Sequence, residues 1–298
     1  MIDKLEMFIA LAQEEHFGRA AESLGVAQPT LSAGIKQLEA QLGVQLVWRG
    51  SRFLGLTPEG QRVLVWARQI VGDTRTMREE MRAVRNGLSG TIRLAVIPTS
   101  LTVASELTSM FSRDNPNVNF TLFTRSSIEI LNMMDNLEAD AGISYLDNEP
   151  MGRVTTVPLY NEHYMLVCGP ESPLWDRTEV DWAEIDPVTL CLLTADMQNR
   201  RIINQNYNQA GIDAKPRIES NSTVVLMAHV ESGWSTILPT QLAQFLARGR
   251  AVRTIPIRQQ YRNYSVGLIA PYRKPHTPVL GALISQARKL AEPRVIAA

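Results

Sequence analysis

Residues 16–42 carry a pattern that few folds satisfy: two short helical stretches joined by a tight turn, the second opened by a proline. In His16-Phe17-Gly18-Arg19-Ala20-Ala21-Glu22-Ser23-Leu24-Gly25, residues Ala20, Ala21 and Leu24 recur at helical spacing and are small enough for another helix to cross closely. Gly18 is read as a tolerable N-cap, and Gly25 as the left-handed residue that ends the helix. Pro29 suits the first turn of the next helix, because its fixed φ matches the helix and its missing N–H had no partner there. That helix is expected to run to about Gln41. At about 100° per residue, Leu31, Ile35, Leu38 and Leu42 form one stripe. Pro29, Ala33, Lys36 and Ala40 face the other way, flanked by Thr30, Ser32 and Gln37. This outward face is small and polar with one cation, which suits close approach to base edges and phosphates in a major groove. Gln28, Pro29, Thr30, Ser32, Ala33, Lys36 and Gln37 are the candidate contacts to duplex DNA.

Next, two β-prone runs flank a Gly50-Ser51 turn in residues 46–56. They read as a hairpin wing, with Arg49 and Arg52 near its tip able to reach phosphates or a minor groove. Thr57-Pro58-Glu59 then supplies an N-cap hydroxyl, a first-turn proline and an acid at the positive helix end, so a new helix starts there. Val63, Ile70, Met77 and Val84 repeat every seven residues, and Ala67, Thr74, Met81 and Leu88 repeat four later. Together they make a coiled-coil seam expected to pair with a copy of itself and so present two reading helices to two half-sites. Packing against its own domain is the alternative.

The series Leu5, Phe8, Phe17, Ala20, Ala21, Leu24, Gln28, Pro29, Ser32, Ile35, Leu38, Glu39, Leu42, Gly43, Leu46, Arg49, Arg52, Leu56, Thr57, Gly60 resembles the amino-terminal signature of the LysR-type transcriptional regulators. His16 and Gly18 stand where hydroxyl residues are usual, Ala27 replaces a frequent serine and Val47 a usual phenylalanine. Ala27 leaves the capping of the reading helix to other groups. The resemblance implies an α plus α/β protein: an N-terminal winged helix-turn-helix (1–58), a linker and dimerisation helix (59–87), and a two-lobed effector domain similar to periplasmic binding proteins. Lobe I is expected at 88–161 and 266–298, lobe II at 162–265. The resemblance further implies a dimer or tetramer and RNA polymerase as a partner.

The chain has 298 residues, 45% of them hydrophobic, with no apolar run of transmembrane length. No secretion signal is visible, and a cytoplasmic location is expected. Its formal net charge is zero, and through Arg62 six basic residues oppose seven acidic ones, so no global basic field exists. Tight DNA binding is therefore expected to need avidity. The four histidines (His16, His163, His229, His276) are scattered without metal-ligand spacing, and no phosphate loop or nucleophile elbow occurs. Neither an enzyme nor a cofactor is expected.

Asn86-Gly87-Leu88-Ser89-Gly90 marks a hinge, beyond which strands and helices alternate. Strands at 91–97, 119–125 and 141–145, with helices at 99–113 and 127–137 between them, imply a parallel sheet covered on both faces. A second αβ series has strands near 164–168, 190–193, 216–219, 235–238 and 252–257, and helices starting near Gln198, Ser222 and Thr240. A strand at 264–269 and a helix at 278–290 close the chain. The crossings between lobes are placed at 160–163 and 262–265. Helix N-termini that follow parallel strands point into such a cleft, where N–H groups and the dipole attract anions. Thr99, Ser100, Ser126, Ser127, Gln198, Asn199, Arg200 and Thr223 are the candidate effector residues, and a small carboxylate the expected ligand. Plain helix capping is the alternative for each hydroxyl or amide.

Asp196-Met197-Gln198-Asn199-Arg200-Arg201 sets two arginines against a helix dipole that would favour acids, which calls for an anionic ligand, an acid across the cleft or a surface ion pair. This wording, with Gly142-Ile143-Ser144-Tyr145-Leu146 and Gly233-Trp234, resembles LysR-type regulators of formate oxidation genes, which implies formate or another short carboxylate. Cys168 and Cys191 lie in apolar runs and read as buried inert thiols; a thiol redox switch on either is the alternative.

Overall fold

A computed structural model describes residues 1–49, 53–147, 151–186, 188–213, 215–258, 262–272 and 274–291. The chain divides into two compact units, one holding Met1–Gly87 and the other most of the remaining residues.

The first unit contains α1 (Ile2–Glu14), α2 (Phe17–Ser23), α3 (Gln28–Leu42), β1 (Val47–Arg49), β2 (Phe53–Leu56) and α4 (Pro58–Asn86). Its core gathers Leu5, Phe8 and Leu11 of α1, Ala20 and Ala21 of α2, and Leu31, Ile35 and Leu38 of α3. Leu42, expected in the same stripe, is 40% exposed. The buried stripe ends at Leu38, and Leu42 is the last residue of the helix, followed by Gly43 at φ 70°. The N-cap of α2 is His16 rather than Gly18: its Nδ1 accepts from the N–H groups of Gly18 (3.1 Å) and Arg19 (3.3 Å), a bond worth about 1 kcal/mol at such a position. Gly25 takes the left-handed conformation at φ 65°. The strands of the wing pair antiparallel, Val47 opposite Leu56. Thr57 Oγ1 accepts from Gly60 N–H at 2.9 Å to open α4, and a Cβ on Gly60 would collide with the Leu46 carbonyl oxygen. Glycine there lets the wing close directly on the long helix.

The second unit has two lobes. Lobe I is a five-stranded sheet in the order β4 (Val118–Thr124), β3 (Gly90–Val96), β5 (Ala141–Tyr145), β12 (Tyr264–Pro271), β6 (Val154–Glu162). Helices α5 (Leu101–Asp114), α6 (Ser127–Asp135) and α10 (Pro278–Ala291) belong to it. Strand β3 is parallel to β4 and β5, but β12 is antiparallel to both of its neighbours. The sheet is thus mixed and not wholly parallel as the βαβαβ order implied, because β12 is the strand on which the chain returns. Lobe II pairs β10 (Ser235–Pro239) and β11 (Arg253–Pro256) antiparallel to β7 (Tyr164–Cys168). The parallel pair β8 (Cys191–Leu193) and β9 (Ile218–Ser220) joins it through a bridge from Leu190 to Ser235. Helices α7 (Gln198–Gln209), α8 (Thr223–Val230) and α9 (Thr240–Ala247) complete lobe II. The chain leaves the first sheet at Glu162 and enters the second at Tyr164, and it returns between Pro256 and Tyr264.

Candidate functional site

On α3, Leu31, Ile35 and Leu38 are fully buried, while Gln28, Pro29, Thr30, Ala33, Lys36 and Gln37 are exposed and Ser32 is half-buried. The polar face is thus open along the helix. Its N-cap, Ala27, makes no side-chain cap; the Ala27 carbonyl accepts from the N–H groups of Thr30 (2.9 Å) and Leu31 (3.2 Å), and Pro29 carries no N–H. Arg49 closes β1, and Arg52 lies outside the described residues.

Along α4 the heptad positions divide. Val63 and Ala67 pack into the core of the first unit, and Ala67 has no exposure; Leu88 packs against the core of the second. These three, expected in the seam, are consumed inside the chain. Thr74 is half-buried and donates to the Ile70 carbonyl at 2.8 Å. Ile70, Met77, Met81 and Val84 are 40–79% exposed, and Trp66, at 62%, continues their stripe one turn toward the N-terminus. Helical geometry puts 66, 70, 77, 81 and 84 within about 60° of one another. Trp66 sits one position off the strict heptad, so the seven-residue repeat does not include it.

Between the lobes, a small cleft is lined by Ile97, Pro98, Thr99, Ser126, Ser127, Tyr145, Leu193, Met197, Gln198 and Asn199. The turn at Pro98–Ser100 that leads into α5 and the first turns of α6 and α7 thus meet at one place. A wider chamber of about 340 Å³ shares Pro98 and Met197 with it and adds Arg125, Glu129 and Thr223. The capping alternative holds for Ser126, whose Oγ and N–H both reach Glu129 Oε2 at 2.8 Å. It does not hold at α5, α7 or α8, whose N-cap residues Ser100, Met197 and Ser222 make no side-chain cap. Ser100 instead bonds the Tyr160 hydroxyl at 2.9 Å.

Arg200 takes no part in either chamber. It pairs with Glu219 on β9 and donates to the Leu193 carbonyl (3.1 Å) and Asn204 (2.8 Å). Two arginines in the first turn are therefore accommodated inside lobe II, Arg201 by Gln198 Oε1 at 2.6 Å and the Asp196 carbonyl at 2.9 Å.

Behind the inner cavity lies a group that no motif or spacing singles out. Glu162, 1% exposed, ends β6 where the chain passes between lobes. One of its oxygens accepts from Tyr145 (2.8 Å) and Tyr164 (2.7 Å), and Tyr145 is also a cavity wall. Burial raises the Glu162 carboxyl to about 7, against the opposing pull of the bonds from Tyr164, Tyr145 and Thr99. Since an unfolded glutamate ionises near 4.5, the folded chain holds a proton in that interval that the unfolded chain has released. Stability from this group is therefore full below that range and falls as pH rises to about 7. Glu162→Gln is expected to flatten this stretch of the unfolding-temperature profile and to be the more stable form above pH 7; superimposable profiles for variant and wild type would contradict it.

Cys168 and Cys191 have no exposure and sit in different apolar clusters. Burial pushes both thiols up, Cys191 to about 11, the opposite of what a reactive thiolate needs. Among the described residues no group of His, Cys, Asp and Glu is arranged to hold a metal, and no helix is long and apolar enough to cross a membrane.

A model of the bacterial regulatory helix-turn-helix proteins of the lysR family matches residues 2–61, and one of the LysR substrate binding domain matches residues 85–292. The chain belongs to the LysR family. It is a transcriptional regulator with an effector-binding domain, and the family is not one of enzymes. The LysR match covers both units. Among relatives, the Escherichia coli regulator XapR is 34% identical over 168 residues, 56% of this chain and 57% of that protein. The E. coli dual regulator OxyR is 28% identical over 98% of this chain and 93% of its own. A full-length OxyR variant from Pseudomonas aeruginosa has the same fold, with a TM-score of 0.75 at 24% identity over 98% and 97% of the two chains.

Proposed function

We propose that this LysR regulator binds DNA as a homodimer or a pair of dimers and is controlled by a small carboxylate held between its lobes. One observation carries the effector reading: the turn at Pro98–Ser100 that leads into α5 and the first turns of α6 and α7 line one cleft, and α7 has no side-chain cap. Such an end favours an anion. The mechanism is a population shift: a ligand preferring the closed lobes changes how the regulatory units pack and hence the spacing of the DNA-reading heads. Lys36 and its exposed neighbours on α3 contact the groove, Arg49 and Arg52 the backbone, and RNA polymerase is the partner downstream. The work is done in the cytoplasm.

The test is a mobility shift on the DNA upstream of the chain's own reading frame, with and without formate and acetate, alongside thermal unfolding. A retarded complex whose mobility or affinity changes with carboxylate, and a melting temperature rising with ligand concentration, is expected. A complex indifferent to every short carboxylate would remove the effector reading and leave the DNA reading intact. The hydrogen peroxide-inducible genes activators among the relatives favour a redox switch instead; the burial of both thiols weighs against it.

A further inference from the structure

The inner cavity is walled by Thr99, Ser126, Ser127, Tyr145, Gln198 and Asn199, polar groups without a charge. Asn199 is 3% exposed, and neither its Nδ2 nor its Oδ1 has a hydrogen-bond partner; the same holds for Oγ of Ser127, 1% exposed. Nearly all buried polar atoms in folded proteins are bonded, so these orphans ask for a ligand. A carboxamide is both donor and acceptor. Rotating it by half a turn exchanges its oxygen and nitrogen but not its need, which is one acceptor and one donor supplied from outside.

Three kinds of head group can be weighed against that need. A bare carboxylate only accepts, so it satisfies Nδ2 and sets an oxygen against Oδ1. A carboxamide ligand answers both atoms but brings no charge to the uncapped end of α7, whose dipole favours an anion. A carboxylate with a hydroxyl on the adjacent carbon answers all of these at once. We propose that the effector is a 2-hydroxycarboxylate: its carboxylate lies on the α7 end, Ser127 Oγ and Asn199 Nδ2, and its hydroxyl donates to Asn199 Oδ1. The rest of the molecule extends past Pro98 and Met197 into the outer chamber, which those residues also line. This narrows the carboxylate reading above and rests on it.

The experiment titrates full-length protein with acetate, glycolate and acetamide, three heads of nearly equal size, by calorimetry or thermal unfolding. Glycolate is expected to bind about tenfold or more tighter than acetate, because a site built around buried hydrogen-bonding groups rejects the analogue that leaves them unpaired. In Asn199→Leu the gap is expected to shrink to within about twofold, and Ser127→Ala to weaken both carboxylates. Should the leucine variant not fold, the wild-type comparison still decides. Equal affinity for acetate and glycolate, or a gap that survives Asn199→Leu, overturns this inference and leaves the carboxylate reading standing. Acetamide binding tightest, or no carboxylate binding at all, overturns both.

Discussion

Pro29→Ala combined with Ser32→Ala is expected to lower sequence-specific DNA binding by about a hundredfold or more while leaving assembly size unchanged. Pro29 fixes the backbone where α3 begins, and no side chain caps that end, so the alanine loosens a turn otherwise closed only by the backbone bonds of Thr30 and Leu31 to the Ala27 carbonyl. Ser32 is the half-buried hydroxyl one turn further along the same face. Each good base contact is worth about 1–3 kcal/mol, and about 1.4 kcal/mol is a factor of ten. Neither residue belongs to the core of the first unit. Mobility shifts on specific and scrambled duplexes, with sedimentation of the free protein, check this. Weak binding at low salt should survive, since Lys36 still meets phosphates. A variant that falls apart in sedimentation would make α3 structural and not a reader.

The second large effect concerns α4. Met77→Glu with Met81→Glu places four like charges on the stripe in a dimer, and these must be desolvated or the pairing lost. Association is expected to weaken by more than about a hundredfold, and DNA affinity to drop with it because two half-sites are no longer bound together. Folding of the reading head should be untouched, since both methionines are more than half exposed and the head's core takes its residues from Val63, Leu64, Ala67 and Val71 of this helix. Light scattering across a concentration series reads the outcome directly. Unchanged mass and DNA affinity would mark the stripe as ordinary solvated surface.

Much of this molecule is legible in its residues, because local chemistry and tertiary packing agree. Pro29, Gly43 and Thr57 punctuate helices where their backbone preferences require it, and the regular strands and helices of the lobes follow from periodicity. What stays hidden depends on partners distant in the chain. Strand β6 escapes the residue pattern, which places only its end, as a crossing; Pro158 argues against a central strand, yet β6 is an edge strand, and Pro158 sits beside the register shift at Gly267. Nothing near Arg200 announces Glu219, and Glu162 looks like any surface acid until Tyr145 of β5 and Tyr164 of β7, in the other sheet, close on it. At the candidate cavity, chemistry named Thr99, Ser127, Gln198 and Asn199, but only three dimensions bring them together.

The α4 helix spans 29 residues, about 44 Å, and one unbroken rod carries both the residues buried in the reading head and the stripe left bare beyond them. No joint lies between, so a dimer built on that stripe carries its two heads as fixed arms. In such a dimer, inserting a single residue mid-rod would turn each head by about 100° around the helix axis.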